Sequence, residues 1–440
     1  MKKSRYNFLY TYGNEGQALL YNSRTNALAL LDSGHTEQYT KFLENGTIDE
    51  DYIEELKKGG YVIDDNEDEL SLLKYELLNN RYRNDILSLT VAATSDCNFR
   101  CVYCYEKSSL KNSKMSVDIQ NKLYDFIKEK IKSIKHLYIC WYGGEPLLVM
   151  DIIEKLSKQI ISLCKKEKVD YSASIVTNGY LLTPKIAKKL GEYNVSNMQI
   201  TIDGPEEIHN RRRPLAGGQG TFKKIIQNVK ECKEFIENIS IRINTDKENV
   251  DEINHLVQTI KTLGVDGENI SFYLGFVEPH NECYLDEKCM TAEGFSKRHY
   301  QFMLDNGISL MNAYPRLTNN FCGADLKNSY VIDSEGLLYK CWNDVGVKER
   351  SIGTLDSEKE EKISFNSKLF YSYMLYDATE DNECKECPYL PICMGGCPFK
   401  RLSKGNRCID KKYILDDYLR SCADYLINQK KENDKSSSSN

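Results

Sequence analysis

From about residue 86 the chain alternates short apolar runs with longer stretches of helical period. The runs 87–93, 136–142, 172–177, 197–202, 239–244 and 270–276 are dense in Val, Ile, Leu and aromatic residues. They are too short for buried helices and lack the strict alternation of a half-wet strand, so they read as strands covered on both faces. Between them, 117–131, 151–165, 184–190, 221–235 and 250–263 repeat apolar residues three and four apart, the period of amphipathic helices. Six such strand–helix units predict an α/β fold, a parallel barrel left open by missing strands. Its chemistry belongs at the carboxyl ends of the strands; a doubly wound sheet would meet the same pattern less economically.

The flanks follow other patterns. Residues 1–85 contain no cysteine. Apolar stretches at 6–10, 18–21 and 27–31 surround an Asn-Ser-Arg-Thr-Asn turn, which predicts a small hairpin, and helical patterns at 36–44 and 49–58 end at Gly59 and Gly60. From about residue 310 the chain is rich in cysteine and turns. A helix is expected over 415–427, and 429–440, ending in Lys-Ser-Ser-Ser-Ser-Asn, is expected to be disordered.

Composition narrows the class. The 440 residues are 41 % apolar and 28 % charged, a globular balance that suggests two to four domains. A net charge of −6 argues against a nucleic-acid partner. No run is long enough for a membrane span, and the first residues lack the apolar core of a signal peptide. The expected location is therefore the cytoplasm, where thiols stay reduced. There, 16 cysteines point to metal rather than to disulfides.

The first cysteine group is Cys97, Cys101 and Cys104, in Thr-Ser-Asp-Cys-Asn-Phe-Arg-Cys-Val-Tyr-Cys-Tyr-Glu just after the first apolar run. Three thiolates with no fourth partner nearby suit a four-iron cluster with one iron left open. Zinc would ask for four ligands in two close pairs, and a disulfide set for an even count in a secreted chain. With Tyr103 before the last cysteine and the later Gly143-Gly144-Glu145-Pro146 run, this segment resembles the radical S-adenosylmethionine (SAM) enzymes. The resemblance implies their partial (β/α)6 TIM barrel. It also implies a [4Fe-4S] cluster that, when reduced, splits SAM into methionine and a 5′-deoxyadenosyl radical that takes hydrogen from a substrate. By the same resemblance Tyr103, Gly143, Gly144 and Glu145 bind the cofactor, the glycine run at the methionyl amino group. Thr177, Asn178, Asp203 and Arg242, with Asn244 beside it, contact the ribose and the methionyl carboxylate. Arg242 has the plainest physical case, since a guanidinium clamps a carboxylate. Turn and helix-cap roles would account equally for Thr177, Asn178 and Asp203.

The carboxyl-terminal third carries Cys322, Cys341, Cys384, Cys387, Cys393, Cys397 and Cys408 at spacings that resemble the SPASM extension with its two auxiliary [4Fe-4S] clusters. A zinc ribbon is the competing reading of the group from Cys384 to Cys397. The resemblance gives Cys322, Cys341 and Cys397 to auxiliary cluster I. It gives Cys384, Cys387 and Cys393 to cluster II, completed by Cys408 with Cys422 as competitor. Some members of that family place one more cysteine shortly before the position of Cys322, which this chain lacks. Cluster I is then left with an open iron, or draws on Cys283, Cys289 or Cys422. Cys140, Cys164 and Cys232 are expected to be small core residues. The histidines His35, His136, His209, His255, His280 and His299 show no ligand spacing and are expected in satisfied or exposed positions.

The domains expected are thus 1–85, a winged-helix unit resembling the PqqD-like domain that grips a leader peptide; 86–310, the radical SAM core; 311–428, the SPASM domain; and the tail 429–440. Such a leader-binding unit should be separable, so that its deletion spares SAM cleavage. The function expected is a maturase that crosslinks a ribosomally made precursor peptide, reduced by flavodoxin or ferredoxin. An anaerobic sulfatase-maturating enzyme is the alternative, favoured by the text from Asp203 to Phe222. Those maturases, however, carry an Asp as proton acceptor right after the cysteine matched by Cys341, where this chain has Trp342; Asp344 lies two positions on. An iron–sulfur carrier or binding module without chemistry of its own is the third reading, and the motifs at four strand ends speak against it.

Overall fold

The computed structural model describes residues 1–13, 15–107, 109–278, 286–355, 366–403 and 405–437. Cys283 and His280 lie outside the described residues. The chain forms two compact units, Met1–Arg81 with Ser296–Cys322 and Tyr376–Asn440, and Tyr82–Phe295 with Gly323–Leu375. They cut across the four-part division read from the sequence.

The second unit is built on one nine-stranded sheet. Its six core strands are Ile86–Ala92, His136–Tyr142, Asp170–Thr177, Val195–Thr201, Asn238–Thr245 and Ile270–Phe276. Each pairs in parallel with the next in chain order. This is the α/β arrangement of strands and crossover helices expected from the sequence, and the second and sixth strands start and stop where the apolar runs do. Leu87, Leu89, Val91, Ile139, Ile175, Ile200, Ile241 and Ile243 are fully buried, which explains the continuous apolar runs. Side-chain caps start the crossover helices. The Ser116 hydroxyl accepts from Ile119 N, and Thr183, followed by Pro184, accepts from Ile186 N. Strand Ser329–Ile332 adds in parallel to the first core strand, and Leu337–Tyr339 and Gly353–Thr354 continue the sheet antiparallel.

In the first unit Asn7–Tyr12, Gln17–Asn22 and Leu28–Leu31 form an antiparallel sheet that includes the expected hairpin, followed by helices Ser33–Asn45, Glu50–Lys58 and Glu69–Arg81. Tyr6, Leu73 and Leu77 pack with Ala378, Leu390 and Met394, and Leu19 and Tyr21 pack with Leu415, Leu419 and Ala423. The amino-terminal elements therefore share their core with the last sixty-odd residues. The final helix runs Lys411–Ser437, so 429–437, expected as disorder, is helical. Gln429, Lys430 and Lys431 are good helix formers, and they prolong a helix already nucleated by buried Leu415, Leu419 and Cys422. Among the described residues no helix is long and apolar enough to cross a membrane.

Candidate active site

The carboxyl ends of the core strands surround a cavity of about 340 Å3. Cys97, Cys101 and Cys104 line it from the loop after the first strand, and the same three thiols line an adjoining cavity of about 210 Å3 with Phe99, Arg100 and Gly144. Among the described residues no three His, Cys, Asp or Glu side chains are grouped as ligands of a single ion. The three cysteines line both cavities together, and three thiolates without a fourth suit a four-iron cluster with one open iron. Burial raises all three thiol pKa values, that of Cys104 to about 12. In such a pocket the thiolate form depends on a bound cationic partner.

The cysteine loop is held by backbone bonds on both flanks. Gly144 N donates to Thr94 O (3.1 Å) and Glu145 N to Asp96 O (2.9 Å), while Arg100 N donates to Pro214 O and Val102 N to Arg212 O. A Cβ at Gly143, where φ is +118°, would meet Thr94 O at 2.3 Å, and one at Gly144 would meet Asp96 O at 2.2 Å. Only glycine lets the second strand end approach this closely.

The expected cofactor residues divide into two sets. Tyr103, Gly143, Gly144, Thr177, Asn178 and Arg242 line the main cavity. Arg242 Nε donates to Asn244 Oδ1 (2.7 Å) and Asn178 Nδ2 to Asn98 Oδ1 (2.8 Å). Glu145 and Asp203, fully buried, do not line it. The Glu145 carboxylate accepts from Leu147 N (2.9 Å), Thr177 Oγ1 (2.6 Å) and Asn178 N (2.8 Å), tying the second strand end to the third. Asp203 accepts from Tyr103 Oη and from Asn244 N (3.0 Å).

Sequence reasoning did not single out Arg213, Gln199, Glu106 or Glu278, which also line the cavity. Arg213 belongs to the Arg-Arg-Arg-Pro run after Asp203, whose charge density was the available signal. Glu106 is buried, and burial pushes its carboxyl up to about 7. Trp342 closes part of the wall; its indole lies 4.5 Å, centroid to centroid, from Tyr142, and its N–H donates to Thr90 Oγ1 (3.1 Å). Asp344 is turned away. It takes bonds from Arg350 Nε (2.7 Å) and Tyr373 Oη (3.0 Å) and does not line the cavity.

In the first unit, Cys384, Cys387, Cys393 and Cys408 line one pocket with Tyr389, Leu390, Ile409 and Lys412. Lys412 Nζ lies 3.5 Å from Cys408 Sγ, and Arg407 Nη2 3.6 Å from Cys384 Sγ. Cys422 is buried apart from them, with Met303 and Tyr418. Cys322 and Cys397 belong to the first unit and Cys341 to the second. Cys289 packs with Val277 and Tyr103. Cys140, Cys164 and Cys232 are buried, as expected of core residues.

His209 is a satisfied core histidine: Nδ1 accepts from Asp203 N (3.2 Å) and Nε2 meets Thr221 Oγ1 (3.0 Å). Burial holds its pKa well below the ordinary 6.5. The unfolded chain thus binds a proton below pH 6.5 that the folded chain refuses, so the stability due to this residue is complete above that pH and is lost as pH falls. Unfolding free energy should drop by up to about 1.4 kcal/mol per pH unit below 6.5 from this group. Denaturant titrations at pH 7, 6 and 5 should show that slope in the parent and a shallower one in His209→Gln.

Strand ends, cysteine loop and glycine run together define a radical SAM protein. Residues 91–260 match the profile of the Radical SAM superfamily, and the chain carries that domain there. It is 24 % identical over 359 residues to the cysteine-type anaerobic sulfatase-maturating enzyme of Clostridium perfringens, covering 76 % of this chain and 94 % of that one. To the radical SAM cyclopropyl synthase TigE of Paramaledivibacter caminithermalis it is 24 % identical over 404 residues, 82 % of this chain and 79 % of TigE. The structure of Streptococcus suis SuiB bound to precursor peptide SuiA matches with a TM-score of 0.54 at 15 % identity, over 93 % of this chain and 98 % of SuiB. Residues 91–260 thus carry a radical SAM domain, and the chain as a whole is similar in sequence to a sulfatase-maturating enzyme and to TigE and in fold to SuiB.

Proposed function

We propose that this enzyme takes hydrogen from a ribosomally made precursor peptide and installs a thioether or carbon–carbon crosslink. The observation that carries the reading is the cavity wall at Trp342. Trp342, its ring 4.5 Å from Tyr142 and tilted 41° to it, holds the sequence position at which the sulfatase maturases resembled here keep a proton acceptor, and the nearby Asp344 carboxylate is spent on Arg350 and Tyr373.

In this reading Cys97, Cys101 and Cys104 hold the SAM-binding [4Fe-4S] cluster, with Gly143 and Gly144 opening the approach and Thr177, Asn178 and Arg242 facing SAM. When bound, that pair supplies the electron and the hydrogen-abstracting radical. The protein contributes placement and exclusion of water, to which buried Tyr142 is suited. Cys384, Cys387, Cys393 and Cys408, which line one pocket, hold an auxiliary cluster. Residues 1–85 act as a PqqD-like unit that grips the leader, and flavodoxin or ferredoxin supplies electrons in the cytoplasm.

The test is mass spectrometry after anaerobic incubation with SAM, a reductant and synthetic peptides taken from short reading frames that adjoin the gene. A product that has lost one pair of hydrogens and kept all its sulfur is expected. A sulfatase-derived peptide converted to an aldehyde would instead establish the second reading, which the 24 % identity over 94 % of a sulfatase-maturating enzyme supports. The choice of Cys408 over Cys422 has its own check. Cys408→Ser should lose the iron and the spectroscopic signal of one auxiliary cluster. Cys422→Ser should keep the iron and cost about 1–3 kcal/mol by placing a hydroxyl in an apolar core.

A further inference from the structure

The Tyr103 side chain projects from the cysteine loop, one residue before Cys104, and its hydroxyl is fully committed inside the protein. It donates to Asp203 and accepts from Arg213 Nη1 (2.6 Å) and Asn244 Nδ2 (2.9 Å). A phenol has one proton and two lone pairs, so nothing is left for a ligand. The partners come from three separate places: the end of the fourth core strand, the segment after helix Glu206–Arg212, and the fifth strand. Each is itself anchored. Asp203 also accepts from Asn244 N, and its carboxylate lies 3.7 Å from Arg212 Nε. Arg212 Nη1 bonds both oxygens of Asp246 (2.9 and 2.8 Å), and the Arg212 guanidinium lies over the Tyr103 ring at 5.1 Å. Asn249 Nδ2 bridges Asp203 O and Asn244 O (2.6 and 2.8 Å). Arg212 and Arg213 thus face Asp203 and Asp246, a balanced buried set whose geometry is fixed because any lapse leaves a charge uncovered.

We infer that the Tyr103 hydroxyl is a positioning group that locks the cysteine loop to the fourth and fifth strand ends, and that Asp203 serves it rather than touching SAM. SAM must meet the cysteine-held iron and the strand-end residues Thr177, Asn178 and Arg242 at once, so the spacing between loop and strands governs its binding. The backbone bonds to Thr94 and Asp96 hold the start of the loop and those from Arg100 N and Val102 N tie its middle to Pro214 and Arg212; the Tyr103 phenol adds the ties to the ends of strands four and five. The inference rests on the radical SAM domain and is independent of the peptide modified.

The test is Tyr103→Phe in the full chain, reconstituted anaerobically, with Asp203→Asn as second variant. Tyr103→Phe should keep full iron and sulfide, bind SAM about tenfold more weakly by equilibrium dialysis, the loss expected when a hydrogen-bonded, charge-linked group is removed, and show a diminished SAM-induced change in the electron paramagnetic resonance of the reduced cluster. Asp203→Asn should move both readouts in the same direction. Parent-like SAM affinity and spectral response in Tyr103→Phe would overturn the inference. So would a variant that merely loses iron while its remaining clusters bind SAM as the parent does.

Discussion

Replacing Cys97, Cys101 and Cys104 together by Ala is expected to abolish 5′-deoxyadenosine release, a fall of at least about 10³-fold to the uncatalysed background. The fold should survive. The loop is tied by Met115 N to Ala93 O, Ser95 N to Ser113 O and the glycine-run bonds, none of which uses a thiol. Circular dichroism and the melting transition should therefore match the parent within a few degrees. Iron analysis should find about four fewer atoms per chain, the content of one cluster, while the iron proposed for the other cysteine field should stay. The three measurements separate a catalytic loss from a structural one. Undiminished SAM cleavage by the triple variant would place the chemistry elsewhere in the chain and remove the basis of every functional statement made for this cavity. Because the open iron is oxygen-sensitive, the comparison has meaning only for protein kept anaerobic throughout.

What could be read from the sequence follows from how local each signal is. The core strands were legible because a strand buried on both faces is written as a run of Val, Ile and Leu, and the six runs fell within two residues of the observed strands. The cysteine group from Cys384 to Cys393 was legible through spacing, and Cys408 joins it in one pocket. Helix Glu69–Arg81 was not singled out. Leu73 and Leu77 are buried while Leu72, Tyr75 and Leu78 face outward, so apolar residues on both sides erase the helical period. The pairing of Ser329–Ile332 with the first core strand spans more than 200 residues, and no local pattern encodes it. Tyr103 and Asp203 carry the sharpest lesson. Their motifs drew attention to this region, but the hydrogen bonds of Tyr103 to Asp203 and to Asn244 link positions about a hundred residues apart and more. Residue type and motif locate a site; only the folded partners decide which side chains face the ligand and which hold the others in place.

The same long-range packing changes what truncation should do. A leader-binding domain that is a free module could be deleted after residue 81 with loss of peptide binding alone. Here Tyr6, Leu73 and Leu77 cover Leu390 and Met394, and Leu19 and Tyr21 cover Leu415 and Leu419. Arg24 pairs with Glu76 inside the removed segment, but Lys74 pairs with Asp377 (3.1 Å) and Arg5 with Glu386 (2.9 Å) across the cut. Those exposed ion pairs are worth little; the apolar cover decides. Each Leu or Met stripped of its packing loses up to about 1.5–3 kcal/mol, so four of them approach the whole net stability of a domain, about 5–15 kcal/mol. The segment left bare carries Cys384, Cys387, Cys393 and Cys408. Deleting residues 1–81 is therefore expected to cost the auxiliary iron and drive aggregation, seen as a lower iron-to-protein ratio and a void-volume peak in anaerobic size exclusion. By contrast Leu73→Ala with Leu77→Ala, which thins the cover without removing it, should lower the melting temperature and leave the elution volume of the parent unchanged. A truncated chain that stays monomeric with its full complement of iron would show that the cysteine-rich segment folds without its amino-terminal cover, and that recognition and cluster binding are separable after all.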